Sequence, residues 1–313
     1  TGGISLHLQW KAYENGIWQA KVPQDVRHID MLLADGQIRP MARYPNYDST
    51  AVRLGGTAAD AIAPERVNRW KHPEGGFLHA MHASDWGDFH YRFTGKDESG
   101  NLQMEGGWQN NRKSVLHKQN RMVENIFEEL DAPGEWFFDA RSRTLYYYPL
   151  PGEVVSDVVF ETPRLKHLVE LRGTSASPVR NITFEGITFT QTDRTFMEPY
   201  EPLLRSDWTI YRGGAILLEG TENCHLINCD FHHLGGNAVF FSKYNRRSSV
   251  SGSHFYQVGA SAICWVGSPD AVRSPAFEYG KSVPVPEIDR ALGPKTPDYP
   301  AHCSAFDNLI HHI

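Results

Sequence analysis

The chain has 313 residues and a net charge of −6, and hydrophobic, charged and aromatic residues make up 40 %, 22 % and 12 % of it. That length supports a large hydrophobic core and one or two domains, and the acidic balance argues against nucleic acid or an anionic membrane surface as a partner. No apolar run approaches the ~20 residues that a membrane-spanning helix needs.

Residues 10–150 contain no internal repeat and carry strand patterns. The aromatic run Phe89–Phe93 is typical of a β-strand, and Trp136–Asp139 followed by Thr144–Pro149 is typical of a β-hairpin. Residues 121–130 have apolar side chains at helical spacing, which predicts a short helix. This part of the chain is therefore predicted to be a compact, sandwich-like domain that is mostly β.

Residues 151–313 contain a repeat of 22–25 residues. Triplets of Gly, Asn or Ser, then Ala, then Ile or Val begin at Gly214, Asn237 and Ser261, with spacings of 23 and 24 residues. Each unit consists of short β-branched or aromatic runs separated by turns. A strand-rich repeat of this length fits one coil of a right-handed parallel β-helix, whereas a propeller blade needs about 40 residues. The sequence therefore predicts an all-β protein with a parallel β-helix in this half.

Stacked coils would bring equivalent residues above one another. Phe189, Phe231, Phe255 and Ile310 share one position of the repeat and are predicted to form an apolar column. Insertions at residues 193–213 and 268–302 interrupt the period. Because long insertions on a rigid scaffold often carry binding and catalytic residues, we expect function to concentrate there.

Three segments carry a resemblance to a known family. They are Ala42–Asn46, Gly134–Asp139 and Leu145–Pro149, and the coils follow them. Together they resemble β-helix glycoside hydrolases in which a β-domain is inserted near the start of the helix, most closely glycoside hydrolase family 141. That family includes an α-L-fucosidase and a xylanase that act on plant cell-wall polysaccharide. The resemblance implies a secreted or periplasmic hydrolase of plant or microbial polysaccharide.

The same resemblance implies a domain order. Residues 1–9 would be the remnant of an early coil, residues 10–150 the inserted domain, and residues 151–313 the later coils. The family's two catalytic aspartates lie in coils beyond the matched stretch, and this chain stops in mid-coil at Ile313. We therefore expect further coils of the same protein, or a partner chain, to pack at Ile313 and supply the catalytic pair, and the chain alone to be inactive.

Glycosidic hydrolysis needs two carboxyl groups on either side of the scissile bond. The candidates within the chain are Asp230, Glu278 and Asp298. Asp230 precedes Phe231, whose position faces inward, so the side chain of Asp230 should point to solvent. An ordinary surface charge is the alternative to a catalytic role for Asp230. Asp307 fits a turn position better, where its carboxylate would bond the backbone.

Histidines occur as two adjacent pairs, His232 with His233 and His311 with His312, at equivalent positions of the repeat. The stacking would put His232 above His311, and His233 above His312, with one coil between the members of each pair. With one coil between them, the members of each pair are two strand spacings, or about 10 Å, apart. That is too far for a shared metal ion, so no metal or other cofactor is expected. The pairs are interpreted either as a polar ladder or as a groove floor in which His233 and His312 bind sugar hydroxyls.

Cationic and aromatic residues surround the second insertion. Arg246 and Arg273 suit an acidic sugar, because a guanidinium binds carboxylates through two hydrogen bonds, although solvated surface arginine is the alternative. Tyr244 lies at the same corner. Trp265 has the flat apolar face that stacks on sugars, and packing against the coil is its alternative role.

Two other functions remain open. A polysaccharide lyase would need a basic residue, for which Lys243 and Arg246 are the candidates, but the sequence has no cluster of acidic residues for calcium. The third possible function is that of a non-catalytic, glycan-binding β-helix. Incubation with polysaccharide distinguishes the three: a lyase forms an unsaturated product, a hydrolase forms new reducing ends without it, and a glycan-binding protein binds without forming either.

The cysteines are expected to be reduced. Cys224, Cys229, Cys264 and Cys303 fit no zinc or redox motif. Cys224 and Cys229 lie five residues apart on an extended run, which spans about 17 Å, whereas a disulfide tolerates Cα atoms only about 4.4–6.8 Å apart.

Overall fold

The computed structural model describes residues 1–112, 114–204 and 208–313. They divide into two units: residues 4–162, named here the inserted unit, and residues 1–3 with 163–313, named the ladder unit. Almost all regular structure is β, and α1 (Pro64–Val67) is the α-helix of the described residues, which confirms the all-β prediction. None of the described helices has the length and apolarity to cross a membrane.

The strands of the inserted unit form three sheets, in which the paired strands from β2 to β12, and β13 with β4, run antiparallel. In chain order they are β1 (Gly3–Leu6), β2 (Lys11–Ala12), β3 (Trp18–Lys21), β4 (Leu32–Ala34), β5 (Gln37–Arg39), β6 (Arg43–Tyr44), β7 (Phe77–His82), β8 (Asp88–Lys96), β9 (Leu102–Gly106), β10 (Leu116–Glu124), β11 (Trp136–Asp139), β12 (Thr144–Tyr147) and β13 (Phe160–Pro163). The sheet orders are β1-β13-β4-β5, β6-β10-β7-β8-β9 and β11-β12-β3-β2.

The predicted strand and hairpin of this unit are both confirmed. Phe89–Phe93 lies within β8, and β11 and β12 pair antiparallel with Trp136 opposite Tyr147. The ring systems of Trp136 and Tyr147 are completely buried in the core of this unit. A cross-strand pair of this size, with no exposed area, holds the hairpin in register.

The predicted helix at residues 121–130 is wrong. Arg121–Glu124 is the end of β10 and pairs antiparallel with Phe77–Ala80 of β7. Asn125 then adopts a left-handed conformation with φ 56° and ends the strand, and Phe127–Glu129 forms a single 3₁₀ turn. Pairing with β7 satisfies the backbone of this segment and buries Val123, so the tertiary partner overrides the helical spacing of the apolar residues.

The ladder unit consists mainly of parallel strands. In chain order they are β14 (Val169–Arg172), β15 (Val179–Arg180), β16 (Thr183–Glu185), β17 (Thr188–Thr192), β18 (Glu201–Pro202), β19 (Thr209–Ile210), β20 (Ile216–Glu222), β21 (His225–Ile227), β22 (Asp230–Leu234), β23 (Val239–Arg246), β24 (Ser249–Ser251), β25 (His254–Val258), β26 (Ile263–Val266), β27 (Pro300–Ala301), β28 (Ser304–Phe306) and β29 (Leu309–Ile310).

These strands build three parallel sheets, named here the first, second and third ladder sheets. Their orders are β14-β20-β23-β26, β16-β21-β24-β28 and β17-β22-β25-β29, and β27 adds to β23 in the first. Successive repeats thus contribute neighbouring strands to each sheet. Residues 1–3 run beside β17, where the amide of Gly2 donates to the carbonyl of Thr190 at 3.0 Å. Residues 1–3 belong to the ladder unit, and the inserted unit begins at Ile4.

The predicted phenylalanine column is confirmed. Phe189, Phe231 and Phe255 are paired in parallel register on the third ladder sheet, with exposures of 6 %, 0 % and 0 %. The ring centroids of Phe231 and Phe255 lie 4.5 Å apart with their planes 2° from parallel. Ile310 continues the register beside Phe255. The column forms one side of the core of the ladder unit.

The turn position predicted for Asp307 is confirmed by its backbone conformation. Asn228, Gly252 and Asp307 follow equivalent strands of the second ladder sheet and have φ values of 53°, 61° and 56°. A side chain at Gly252 would meet Oδ1 of Asn228 at 2.3 Å. Glycine is therefore needed there both for the positive φ and for the close approach of Asn228. Asp307 is therefore a turn residue rather than a catalytic candidate.

All four cysteines are free thiols. Cys224, Cys229 and Cys264 are buried, and burial raises the pKa of the half-buried Cys303 thiol. We expect a thiol titration of the denatured protein to detect four thiols, and the folded protein to react slowly because the thiolate is disfavoured and shielded. Fewer than four thiols after denaturation without reductant would contradict this prediction.

Candidate functional site

The two insertions lie beside the outward face of the first ladder sheet. In the first insertion β18 and β19 pair as an antiparallel hairpin, and Ile210 of this hairpin packs against Leu217, Phe240 and Cys264 of the sheet. The second insertion leaves the sheet after β26 and returns as β27, which pairs with Asn245 and Arg246 of β23. Both insertions therefore frame the same end of one sheet.

A cleft of about 610 Å³ opens between the insertions. This volume lies within the range of about 300–1,000 Å³ that is typical of ligand pockets. Glu201, Arg212 and Ser268 contribute the polar groups of its lining. Its apolar and aromatic walls come from Leu203, Leu204, Val266, Val272, Pro294 and Tyr299.

Arg212 holds the cleft together. Its Nε donates to both carboxylate oxygens of Glu201 at 3.0 Å, and its Nη1 donates to Oγ of Ser242 at 3.0 Å and to the carbonyl of Val266 at 3.2 Å. Its Nη2 donates to the carbonyl of Gly267 at 3.1 Å. Because one guanidinium joins the hairpin of the first insertion to the end of β26, the width of the cleft depends on it.

A second carboxylate joins this network. Oγ of Ser242 donates to Glu219 at 2.7 Å, and Nζ of Lys243 donates to the other oxygen of Glu219 at 3.2 Å. Burial would raise the pKa of Glu219, but these two bonds and the charge of Lys243 outweigh burial and lower it. Glu219 is therefore ionised at neutral pH, and it is linked through Ser242 and Arg212 to the carboxylate of Glu201.

Sequence reasoning missed both Glu201 and Glu219. Glu219 is a glutamate in an alternating strand, and Glu201 lies in an insertion whose pairing has no local signal. What distinguishes the two glutamates is their link through Arg212, and this link forms only when the hairpin is folded against the sheet.

Two of the expected substrate-binding residues have structural contacts. Nη1 of Arg246 donates to the carbonyls of Asn245 and Tyr299, and its Nη2 donates to the carbonyl of Pro297 at 2.9 Å. The hydroxyl of Tyr244 donates to Glu222, which raises the pKa of Tyr244. Arg246 thus anchors the returning end of the second insertion.

Arg273 and Trp265 also have contacts within the unit. Arg273 donates to the carboxylate of Asp289 at 2.7 Å and to the carbonyl of Gly293 at 2.8 Å, so its charge stabilises the second insertion. Trp265 borders the cleft, but its ring stacks on the fully buried Phe241 at 5.6 Å with planes 10° apart. This stacking favours the packing role of Trp265.

The three expected carboxylates lie on different surfaces. Asp230 begins β22 on the third ladder sheet, and exposed Glu278 forms an ion pair with Lys281 in the second insertion. Asp298 lies near the end of that insertion, where its backbone carbonyl accepts the amide of Ser268 at 2.7 Å. The described contacts bring no two of these carboxylates together.

The histidine stack has the predicted order. The ring of Tyr256 stacks on His232 at 5.0 Å and on His311 at 5.8 Å. His233 and His312 share a left-handed conformation, with φ 51° and 52°. Burial lowers the pKa of both His232 and His233, so these rings are neutral near pH 7. His233 is only 8 % exposed, which leaves little of its ring for a ligand.

One histidine contact was not predicted. Nε2 of His254 lies 2.7 Å from Nε2 of His311, and Nδ1 of His254 lies 3.3 Å from the carboxylate of Asp230. The stacking argument considered residues directly above one another and therefore overlooked this diagonal contact.

Comparisons with known proteins add information about the fold. No protein-family model and no curated protein matches the chain. A solved structure named "Glycoside hydrolase" matches 82 % of the chain with a TM-score of 0.63 and 19 % sequence identity. The chain spans 51 %, or about half, of the length of that structure. The fold of this chain is therefore similar to that of a solved glycoside hydrolase.

Proposed function

We propose that this protein is a glycoside hydrolase of complex plant cell-wall or microbial polysaccharide, and that the cleft between the insertions is one of its sugar-binding subsites. The observation that carries the proposal is the cleft itself, framed by two insertions on a parallel sheet. The similarity in fold to a solved glycoside hydrolase and the resemblance to glycoside hydrolase family 141 support it. An α-L-fucoside or a xylan is the proposed substrate class.

We also propose that the ladder unit is a right-handed parallel β-helix. Its three parallel sheets receive one strand each from successive repeats, which supports a coil. Crossover connections between parallel strands of one sheet are right-handed in about 98 % of cases, because of the twist of the strands. The groove along the outside of such a coil would align an extended polysaccharide.

The lining of the cleft suits a sugar. A pyranose ring has apolar faces and a rim of hydroxyl groups, so it needs apolar walls beside a few hydrogen-bonding groups. Leu203, Val272 and Tyr299 form such walls, and the carboxylate of Glu201 can accept hydrogen bonds from hydroxyls. Arg212 holds the Glu201 carboxylate in one orientation, which reduces the entropy lost on binding.

The lyase alternative has less support. A lyase needs a basic side chain that is free to remove a proton beside a uronate. Lys243 is paired with Glu219, and the guanidinium of Arg246 donates to backbone carbonyls. Both candidate bases are therefore engaged within the protein.

Replacing Glu201 tests the subsite. We expect Glu201→Gln to weaken binding of the chain to xylan or fucosylated xyloglucan by about 10–100-fold, since a hydrogen bond to a charged group contributes about 1.5–3 kcal/mol. Affinity electrophoresis and calorimetry measure the change. Glu278→Gln is the matched control, because Glu278 is an exposed carboxylate outside the cleft lining and should bind as the wild type does.

Product analysis of the complete gene product tests the reaction. A hydrolase releases new reducing ends without an unsaturated product that absorbs ultraviolet light. An unsaturated product would establish a lyase instead, and binding without either product would establish a non-catalytic glycan-binding protein. Equal binding by Glu201→Gln and Glu278→Gln would reject the cleft as the subsite.

A further inference from the structure

We propose that His254 and His311 bind a divalent transition-metal ion of the zinc class on the outward face of the third ladder sheet, with Asp230 positioning His254. The Nε2 atoms of the two rings lie 2.7 Å apart. The site lies on a different sheet from the cleft, so it stands independently of the proposed glycosidase function. It departs from the expectation, drawn from the sequence, that this chain has no metal site.

The register of the sheet brings the two histidines together. His254 pairs with Leu309, and Phe255 pairs with Ile310. His311 follows β29, so it is the diagonal neighbour of His254 on the same face, within reach of a ring side chain. Tyr256 supports both rings, with centroid distances of 4.6 Å to His254 and 5.8 Å to His311.

The partners of the other ring nitrogens suit metal ligands. The Asp230 carboxylate lies 3.3 Å from Nδ1 of His254, and its Oδ1 atom has no hydrogen-bond partner among the described residues. Its negative charge favours the tautomer of His254 with a proton on Nδ1 and a lone pair on Nε2. Nδ1 of His311 faces Nδ1 of His312, which accepts its proton in the same tautomer. With both rings protonated on Nδ1, two lone pairs point at one position, and a cation there relieves their repulsion.

The chemistry of the donors selects the class of ion. Imidazole nitrogen suits zinc, copper and nickel ions, whereas calcium and magnesium prefer oxygen. Zinc binds nitrogen at about 2.0–2.1 Å, so two tetrahedral ligand atoms lie about 3.3 Å apart. His254 has 38 % of its side chain exposed, and a small ring rotation opens the present 2.7 Å to that distance. Water completes the coordination from the solvent side.

Metal binding would fasten one coil to the next. The bound ion would join β25 to the residue that follows β29, and β29 pairs with β25 through only two residue pairs. An ion that binds the folded state alone raises the melting temperature as its concentration increases. The expected consequence is a metal-dependent stabilisation of the ladder unit.

Calorimetric titration of the chain, free of any purification tag, with zinc chloride tests the proposal. We expect one zinc equivalent that is absent in both His254→Gln and His311→Gln, together with a rise in the wild-type melting temperature. In addition, Asp230→Asn should weaken binding by about 10–100-fold, since it removes only the group that orients His254. It also preserves shape, so it tests the site even if a histidine variant unfolds.

His225→Gln is the matched control. The ring nitrogens of His225 contact Oγ of Ser249 at 2.8 Å and Oδ1 of Asn223 at 3.0 Å on the second ladder sheet. Its loss should leave zinc binding unchanged. Absence of binding in the wild type, retention of the equivalent in His254→Gln, an unchanged affinity in Asp230→Asn, or equal loss in His225→Gln would each overturn the proposal.

Discussion

The free energy of unfolding is expected to change with pH by about 4–5 kcal/mol because of Glu135, and Glu135→Gln should abolish this change. Glu135 is 1 % exposed, and burial raises its pKa from 4.5 to about 8. The amides of Asp131 and Ala132 donate to one carboxylate oxygen at 3.2 Å, while the other oxygen is buried with no hydrogen-bond partner among the described residues. The folded protein therefore keeps a proton on this group at neutral pH.

The sign follows from the protons bound by each state. Between the unfolded pKa of 4.5 and the folded pKa of about 8, the folded chain holds one more proton than the unfolded chain at Glu135. The contribution of this group to stability is thus fully present below pH 4.5, and it decreases as the pH rises to about 8. Glutamine does not titrate and keeps an oxygen for the two amides.

Urea unfolding at several pH values measures this effect. The difference between wild type and Glu135→Gln isolates the one carboxyl group, because every other titrating group is common to both proteins. We expect the variant to gain stability relative to the wild type as the pH rises from 5 to 8. Glu278→Gln, on the exposed surface, is the control and should follow the wild type. Parallel curves for wild type and Glu135→Gln would show that Glu135 is ionised in the folded state.

Phe231→Ala is expected to lower the free energy of unfolding by about 3–5 kcal/mol. The ring of Phe231 is completely buried between Phe189 at 5.1 Å and Phe255 at 4.5 Å. Parallel strands on both sides hold the backbone of Phe231 in place, so the surroundings can collapse only partly into the space left by the ring. Both the lost transfer free energy and the cavity contribute to the destabilisation.

Phe306→Ala is the matched control for this prediction. Phe306 lies in the same unit but is 53 % exposed, so its truncation should cost less than about 1 kcal/mol. Denaturant unfolding of the two variants gives the comparison. A loss below about 1 kcal/mol for Phe231→Ala would show that the column does not contribute to the stability of the core.

The repeat is the part of the fold that the sequence determines. Phe189, Phe231 and Phe255 recur at one position because each repeat must bury a side chain at the same place, and Asn228 and Asp307 recur where each repeat must turn. The hairpin of β11 and β12 was predictable for a similar reason, since its pairing is local and its turn lies between two aromatic runs. Periodicity and turn residues report such local requirements directly.

The contacts of the candidate sites are decided by the tertiary structure. Whether residues 121–124 become helix or strand depends on their pairing with β7, and the contact of His254 with His311 depends on a diagonal between two neighbouring parallel strands. The guanidinium of Arg246 likewise donates hydrogen bonds to carbonyls that lie more than 50 residues away along the chain. A sequence pattern shows which face of a segment is buried, but the partner of a polar side chain follows from where distant segments meet. For that reason the scaffold could be predicted from the sequence, whereas the network of Glu201, Arg212 and Glu219 and the histidine pair became visible only in the folded chain.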